Sequence, residues 1–201
     1  MTTTGTTEPT ALRADRRTGI AAVAAGLLLL ASVAAELIRP VQRPDGTVTD
    51  VGGFVAYVAL WTVGAAALAV AIHGLTTDTR AGGIGRALSL AGAGLLTTFG
   101  AVGLVTTIVG GAPAEWSFLL FAVGLLLLVL GAVPFALGLR RRLGGWWTAV
   151  AAAGAGAAVA LVAEADPWHD LGLFAFDAAW IAVGVRLLAG RPAERNLPTG
   201  S

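Results

Sequence analysis

The sequence predicts an all-α, polytopic integral membrane protein: a six-transmembrane-helix bundle whose N-terminus and C-terminus are both cytoplasmic. Three observations support this fold class. Of the 201 residues, 56% are hydrophobic and only 12% are charged, which is typical of a chain surrounded by lipid. The apolar residues fall into six runs of roughly 20 residues, the length that crosses a bilayer. The arginines are concentrated in alternate connecting segments.

Polar segments separate the six runs. Residues 1–17 are polar and rich in threonine, and we expect them to form a disordered cytoplasmic tail; residues 191–201 form a second one. The first run is longer than the roughly 7 to 15 residues of a signal-peptide core, so we interpret it as a retained helix. The predicted spans within the 18–190 transmembrane domain are 18–38, 52–75, 87–109, 116–139, 146–163 and 168–189.

The fourth and fifth spans have unusual compositions. Pro134 lies near the end of the fourth and predicts a kink. The fifth is short and consists almost entirely of Ala, Gly and Val, so a re-entrant pair that does not cross is the main alternative to six spans. Its small residues recur at four-residue spacing, which permits close helix approach. We expect this spacing to serve packing within the bundle, with a dimer interface as the alternative.

The arginines predict the orientation, because short loops rich in Arg remain in the cytoplasm. Only Arg39 and Arg43 fall on the opposite side. The cytoplasmic segments hold the other eleven: Arg13, Arg16, Arg17, Arg80, Arg86, Arg140, Arg141, Arg142, Arg186, Arg191 and Arg195.

Several classes of function are excluded by composition. The absence of cysteine excludes disulfides and thiolate metal sites. A net charge of +1 gives no indication of a nucleic-acid partner. No nucleophile, metalloprotease or phosphate-loop motif is present, which argues against an enzyme. Thirteen arginines with no lysine resemble the composition of GC-rich bacterial genomes, so we expect a bacterial plasma-membrane protein.

Asp177 is the most informative residue, because it lies in the middle of the sixth span. A charge at this depth costs about 2.5 to 3.5 kcal/mol on insertion scales, so such residues usually have a partner or a use. Asp166, Asp170 and Asp177 lie within about 40° of one another on one helical face. This carboxylate ladder predicts a proton or cation path. The alternative is that Asp166 caps the helix and Asp177 is hydrogen-bonded for packing.

Candidate partners of Asp177 come from the second span, which runs in the same direction as the sixth. Tyr57 and Trp61 are four residues apart on one face, and each has a donor for the carboxylate. Phe174 and Trp180 complete the predicted binding residues.

His73 and His169 fall on opposite sides of the membrane, which excludes a haem held by both. His169 has metal-ligand types beside it in Glu164, Asp166 and Asp170. Such loop clusters are more often solvated, so we predict no metal and no other cofactor.

Three functions remain open. The favoured one is a non-enzymatic accessory protein that binds membrane lipid or a membrane-protein partner. The second is a small proton- or cation-coupled transporter that uses Asp177. The third is an intramembrane enzyme on an apolar substrate, in which Asp177 is a general acid in a pocket lined by Trp61, Phe174, Phe176 and Trp180.

Overall fold

The computed structural model describes residues 8–38, 40–41, 48–114, 116–162 and 168–189. Within these ranges the chain is helical apart from its short links. The helices are α1 (Glu8–Ile38), α2 (Val51–Gly74), α3 (Arg80–Gly110), α4 (Ser117–Leu143), α5 (Trp147–Val162) and α6 (Trp168–Leu188), with a single 3₁₀ turn (Gly144–Trp146) between α4 and α5.

Within the described ranges, five helical stretches are long and apolar enough to cross a membrane, which agrees with the predicted all-helical membrane protein. One of them is the 46-residue run Ser117–Val162, which comprises α4, the 3₁₀ turn and α5. This run is not straight, because α5 folds back against α4 after Gly144, whose φ is +58°. With 16 residues, α5 alone is about 24 Å long, shorter than the roughly 30 Å hydrocarbon layer.

Two helices begin earlier than the sequence predicts. α1 begins at Glu8, inside the segment expected to be a disordered tail. α3 begins at Arg80 and not at Ala87, because the Thr79 side chain accepts a hydrogen bond from the Gly82 backbone and caps the first turn. α4 continues through Pro134 to Leu143. The cytoplasmic tail expected at 191–201 lies outside the described residues.

The six helices form a closed ring. Each helix packs against the one before it, and α6 also packs against α1. Neighbours are antiparallel: Gly74 at the end of α2 meets Thr18 near the start of α1, whereas Gly64 meets Leu29. Buried apolar side chains from all the helices fill the centre, and α5 contributes mainly alanines.

Glycines bring several of these helix pairs into backbone contact. A Cβ added to Gly92 of α3 would lie 2.6 Å from the Gly124 carbonyl oxygen of α4. Gly156 of α5 is equally close to the Gly172 carbonyl oxygen of α6. The small residues of α5 that face inward are therefore used for packing within the bundle, as small residues are in other membrane helices.

Candidate functional site

Asp177 lies in the middle of α6, on the face between α1 and the centre of the ring. The helix passes so close to α1 that a Cβ on Gly26 would lie 2.6 Å from the Asp177 carbonyl oxygen. Only 1% of Asp177 is exposed. Its Oδ2 atom has no hydrogen-bond partner among the residues that the structure describes. A buried carboxyl oxygen in this state has lost water without replacement, which is unfavourable.

Two indole groups in the same core are also unpartnered. Trp180 follows Asp177 by one helical turn, and Trp61 lies on α2; both side chains are buried. Within the described part of the chain, neither Nε1 atom finds an acceptor. Buried indole N–H groups usually have a partner. Three buried polar atoms of the described core therefore have no partner: Asp177 Oδ2, Trp61 Nε1 and Trp180 Nε1. A fourth is Thr107 Oγ1, near the end of α3.

Tyr57 and Trp61 do not pair with Asp177, contrary to the prediction. The contacts of α2 with α1 place Gly26, and hence Asp177, near the level of Ala67. Tyr57 precedes Ala67 by ten residues, which corresponds to about 15 Å along the helix. Equal distance from the first residue of each helix does not mean equal depth here, because α2 begins farther toward the acidic end than α6.

Tyr57 instead lies beside two other carboxylates. The charges of Glu36 on α1 and Asp170 on α6 both interact with its hydroxyl group. Glu36 also accepts a hydrogen bond of 3.5 Å from the Val41 backbone. Asp170 is thus near one end of the bundle, and Asp177 lies two helical turns farther in. Asp166 lies outside the described residues.

An aromatic cluster lies between this end and the core. The Phe121 ring is central: its centroid is 5.7 Å from that of Trp61, 5.4 Å from that of Phe99 and 6.3 Å from that of His169. Phe118 adds a further contact with Phe99 at 5.7 Å. His169 Nδ1 is 2.7 Å from the Ala160 carbonyl oxygen near the end of α5. This bond satisfies a carbonyl that the helix end leaves open.

The opposite end of the bundle is held by arginines. Arg86 of α3 donates from Nε to the Ile72 carbonyl at 3.2 Å and from Nη2 to the His73 carbonyl. Arg142 of α4 donates to the Gly74 carbonyl at 3.4 Å and to the Thr76 hydroxyl at 2.9 Å. These bonds satisfy the last carbonyls of α2 and attach its end to α3 and α4.

A small cavity lies beside Asp177 but does not include it. Ser89, Phe135 and Trp180 are among its lining residues, together with Phe176. The cavity volume is about 10 Å³, which is room for a single water. Phe174 is half-buried and is not part of this lining, because it lies on another face of α6 from Trp180.

We define two ends of the bundle by these residues. The arginine end holds the Arg86 and Arg142 contacts, and His73 is exposed there. The acidic end holds Glu36, Asp170 and the aromatic cluster with His169. The two histidines are therefore at opposite ends, as the sequence predicted. No group of three metal-ligand side chains occurs within the described ranges.

Sequence reasoning missed the aromatic cluster. Phe118 and Phe121 are three residues apart at the start of α4, a spacing that places them on one face. That signal was available, but it did not indicate which helices the face would meet. Comparisons of the chain with family models, with curated proteins and with solved structures returned no match.

Proposed function

We propose that the chain crosses a bacterial plasma membrane six times, with the arginine end in the cytoplasm. The antiparallel ring supports this topology, because α5 returns along α4 and thus reverses the direction of the chain. Exposed tryptophans at the acidic end, Trp116 and Trp168, and Trp146 near the arginine end suit the two interfaces of a bilayer. Membrane lipid contacts the exposed apolar side chains.

Single cysteines test this topology cleanly, because the natural sequence has none. Gly145 lies just before α5 and Val162 lies at its other end, and both residues are exposed. The two variants are Gly145→Cys and Val162→Cys. If α5 crosses, a membrane-impermeant maleimide added to intact cells labels Val162→Cys and not Gly145→Cys. Labelling of both positions from one side contradicts the sixth crossing.

For function, the buried Asp177 carboxyl favours a small proton- or cation-coupled carrier over the accessory protein expected from sequence. An isolated carboxylate in an apolar core is strongly unfavourable, so the group must carry a proton or meet a cation. The described arginines lie toward the arginine end and supply no counter-charge beside it. An intramembrane acid of this kind is a functional group by default. Its unpartnered Oδ2 atom is the observation that carries the proposal.

The accessory function remains the second candidate, and the dense helix packing favours it. Glycine contacts join α3 to α4 and α5 to α6, and the cavity beside Phe176 and Trp180 has room for only one water. Such a core suits a protein that binds membrane lipid or a membrane-protein partner on its outer surface. The enzymatic alternative has less support, because Asp177 is not among the residues that line the small cavity beside Phe176 and Trp180.

Infrared spectroscopy of the reconstituted protein tests the proton-binding role directly. In the wild type we expect the C=O band of a protonated carboxyl group at neutral pH, and we expect Asp177→Asn to remove it. Asp78→Asn is the matched control, because Asp78 is an exposed acid in the link before α3. A band that persists in Asp177→Asn, or that is absent from the wild type, contradicts the carrier proposal.

A further inference from the structure

We propose that the solute bound at Asp177 is a small lipophilic organic cation, such as a quaternary ammonium compound with an aromatic substituent. This inference rests on the carrier function proposed above and names its substrate class. It is argued from the charge balance of the core, from the side chains around Asp177, and from the charges at the two ends of the bundle.

The charge balance of the core requires a cation from outside the protein. Asp177 packs against α1, which has no charged residue between Arg17 and Glu36, and α6 also packs against α5, which has none. Among the described residues, the arginines lie toward the arginine end. A proton and a solute cation are therefore alternatives for the same carboxyl group.

The surroundings of Asp177 favour an organic cation over a metal ion. Metal ions such as Ca²⁺ require several oxygen ligands, and the described ranges contain no group of three candidate ligand side chains. On α6, Phe176 directly precedes Asp177 and Trp180 follows it by one turn, and both are buried. Trp61 and Phe121 lie toward the acidic end. Aromatic faces attract quaternary ammonium groups through cation–π interactions, which are strongest for Trp and for desolvated sites.

The two ends of the bundle favour entry of a cation from the acidic end. Glu36 and Asp170 place negative charge at that end, whereas Arg140 and Arg141 are exposed at the other. Clefts lined by one sign of charge raise the local concentration of the opposite ion. The rings between the acidic end and Asp177 are held by contacts between side chains, so they can separate without breaking a helix.

Equilibrium binding of benzyltrimethylammonium to the purified protein tests the inference. Its neutral isostere neopentylbenzene has the same shape without the charge. We expect saturable binding of the cation, at least about tenfold tighter than that of the isostere. Binding should weaken as the pH is lowered, because a proton competes for Asp177. Asp177→Asn should abolish it, and the exposed Asp78→Asn should leave it unchanged.

Trp180→Leu separates the aromatic contribution from the carboxyl contribution. We expect it to weaken cation binding about tenfold while the infrared band of Asp177 persists. The absence of saturable binding by wild-type protein that shows this band overturns the organic-cation inference and leaves the carrier proposal standing. Binding that is unchanged in Asp177→Asn also overturns the inference. Absence of the protonated-carboxyl band from the wild type contradicts the carrier proposal itself.

Discussion

The helices α2, α3 and α4 are joined in different ways at their two ends. At the arginine end, α3 and α4 touch backbone to backbone through Gly85 and Gly131, and guanidinium groups hold the carbonyls of α2. At the acidic end, the same helices are joined by ring contacts around Phe121. Backbone contact between α3 and α4 extends from the arginine end as far as Gly92 and Gly124, and the ring contacts lie beyond it at the acidic end.

This difference indicates which end of the bundle can open. Backbone contacts through glycine have no side chain that can rotate away, so separating them moves whole helices. Aromatic rings reach new positions through rotation about two side-chain bonds. A carrier that exposes Asp177 therefore opens more easily at the acidic end. Four substitutions test the comparison, beginning with the one expected to have the largest effect.

Gly85→Val should destabilise the protein most, by at least about 3 kcal/mol or to the point of misfolding. Its Cβ would lie 2.7 Å from the Gly131 carbonyl oxygen and 2.9 Å from the Phe135 Cα atom, so α3 and α4 must separate. Gly94→Val on the same helix is the control, because nothing lies within 4 Å of a Cβ there. Unfolding followed by circular dichroism measures both. Equal stability of the two variants contradicts backbone contact at the arginine end.

Arg86→Gln should cost about 2 kcal/mol, because it removes a charged donor from the Ile72 and His73 carbonyls. Arg80→Gln changes an exposed arginine of the same helix and should have little effect. Proteolysis near the end of α2 provides a local measurement, and we expect faster cleavage only in Arg86→Gln. Cleavage at the same rate in both variants means that the guanidinium does not hold this end.

Some features of the fold were predictable because they depend on local composition. The six helices follow the six apolar runs, and the depth of Asp177 follows from its place in the last run. The start of α3 was predicted too late, because glycines in 82–85 suggest a link and the Thr79 cap outweighs them. Gly82 and Gly85 are positions at which α3 contacts α4. The need for glycine there comes from α4 and cannot be recognised from the segment itself.

The site was less predictable, because it depends on how far each helix is displaced along its axis. Asp177 and Trp61 are at similar distances from the first residues of α6 and α2. The two residues are nevertheless at different depths, because α2 starts farther toward the acidic end than α6. The neighbours of Phe121 come from α2, α3 and α6, and no spacing within α4 specifies them. Contacts between distant segments therefore set the arrangement of the site.

Phe121→Leu should cost about 1 kcal/mol beyond the loss of size, because three ring contacts disappear together. Phe118→Leu is the matched control, since Phe118 is exposed and contacts Phe99 at one side. If the acidic end is the one that opens, Phe121→Leu should also speed maleimide labelling of a cysteine placed at Trp61. Unchanged labelling argues that the rings do not close this end.

Trp61→Phe should have the smallest effect, within about 1 kcal/mol, although Trp61 is almost fully buried. The indole Nε1 has no acceptor in the part of the chain that the structure describes, so its removal relieves an unsatisfied donor. This gain offsets the volume lost in the smaller ring. Trp61→Leu removes the ring contact with Phe121 as well and should cost more. A loss of about 2 kcal/mol or more in Trp61→Phe means that the indole N–H is hydrogen-bonded, and that the acidic end, like the arginine end, depends on a polar contact.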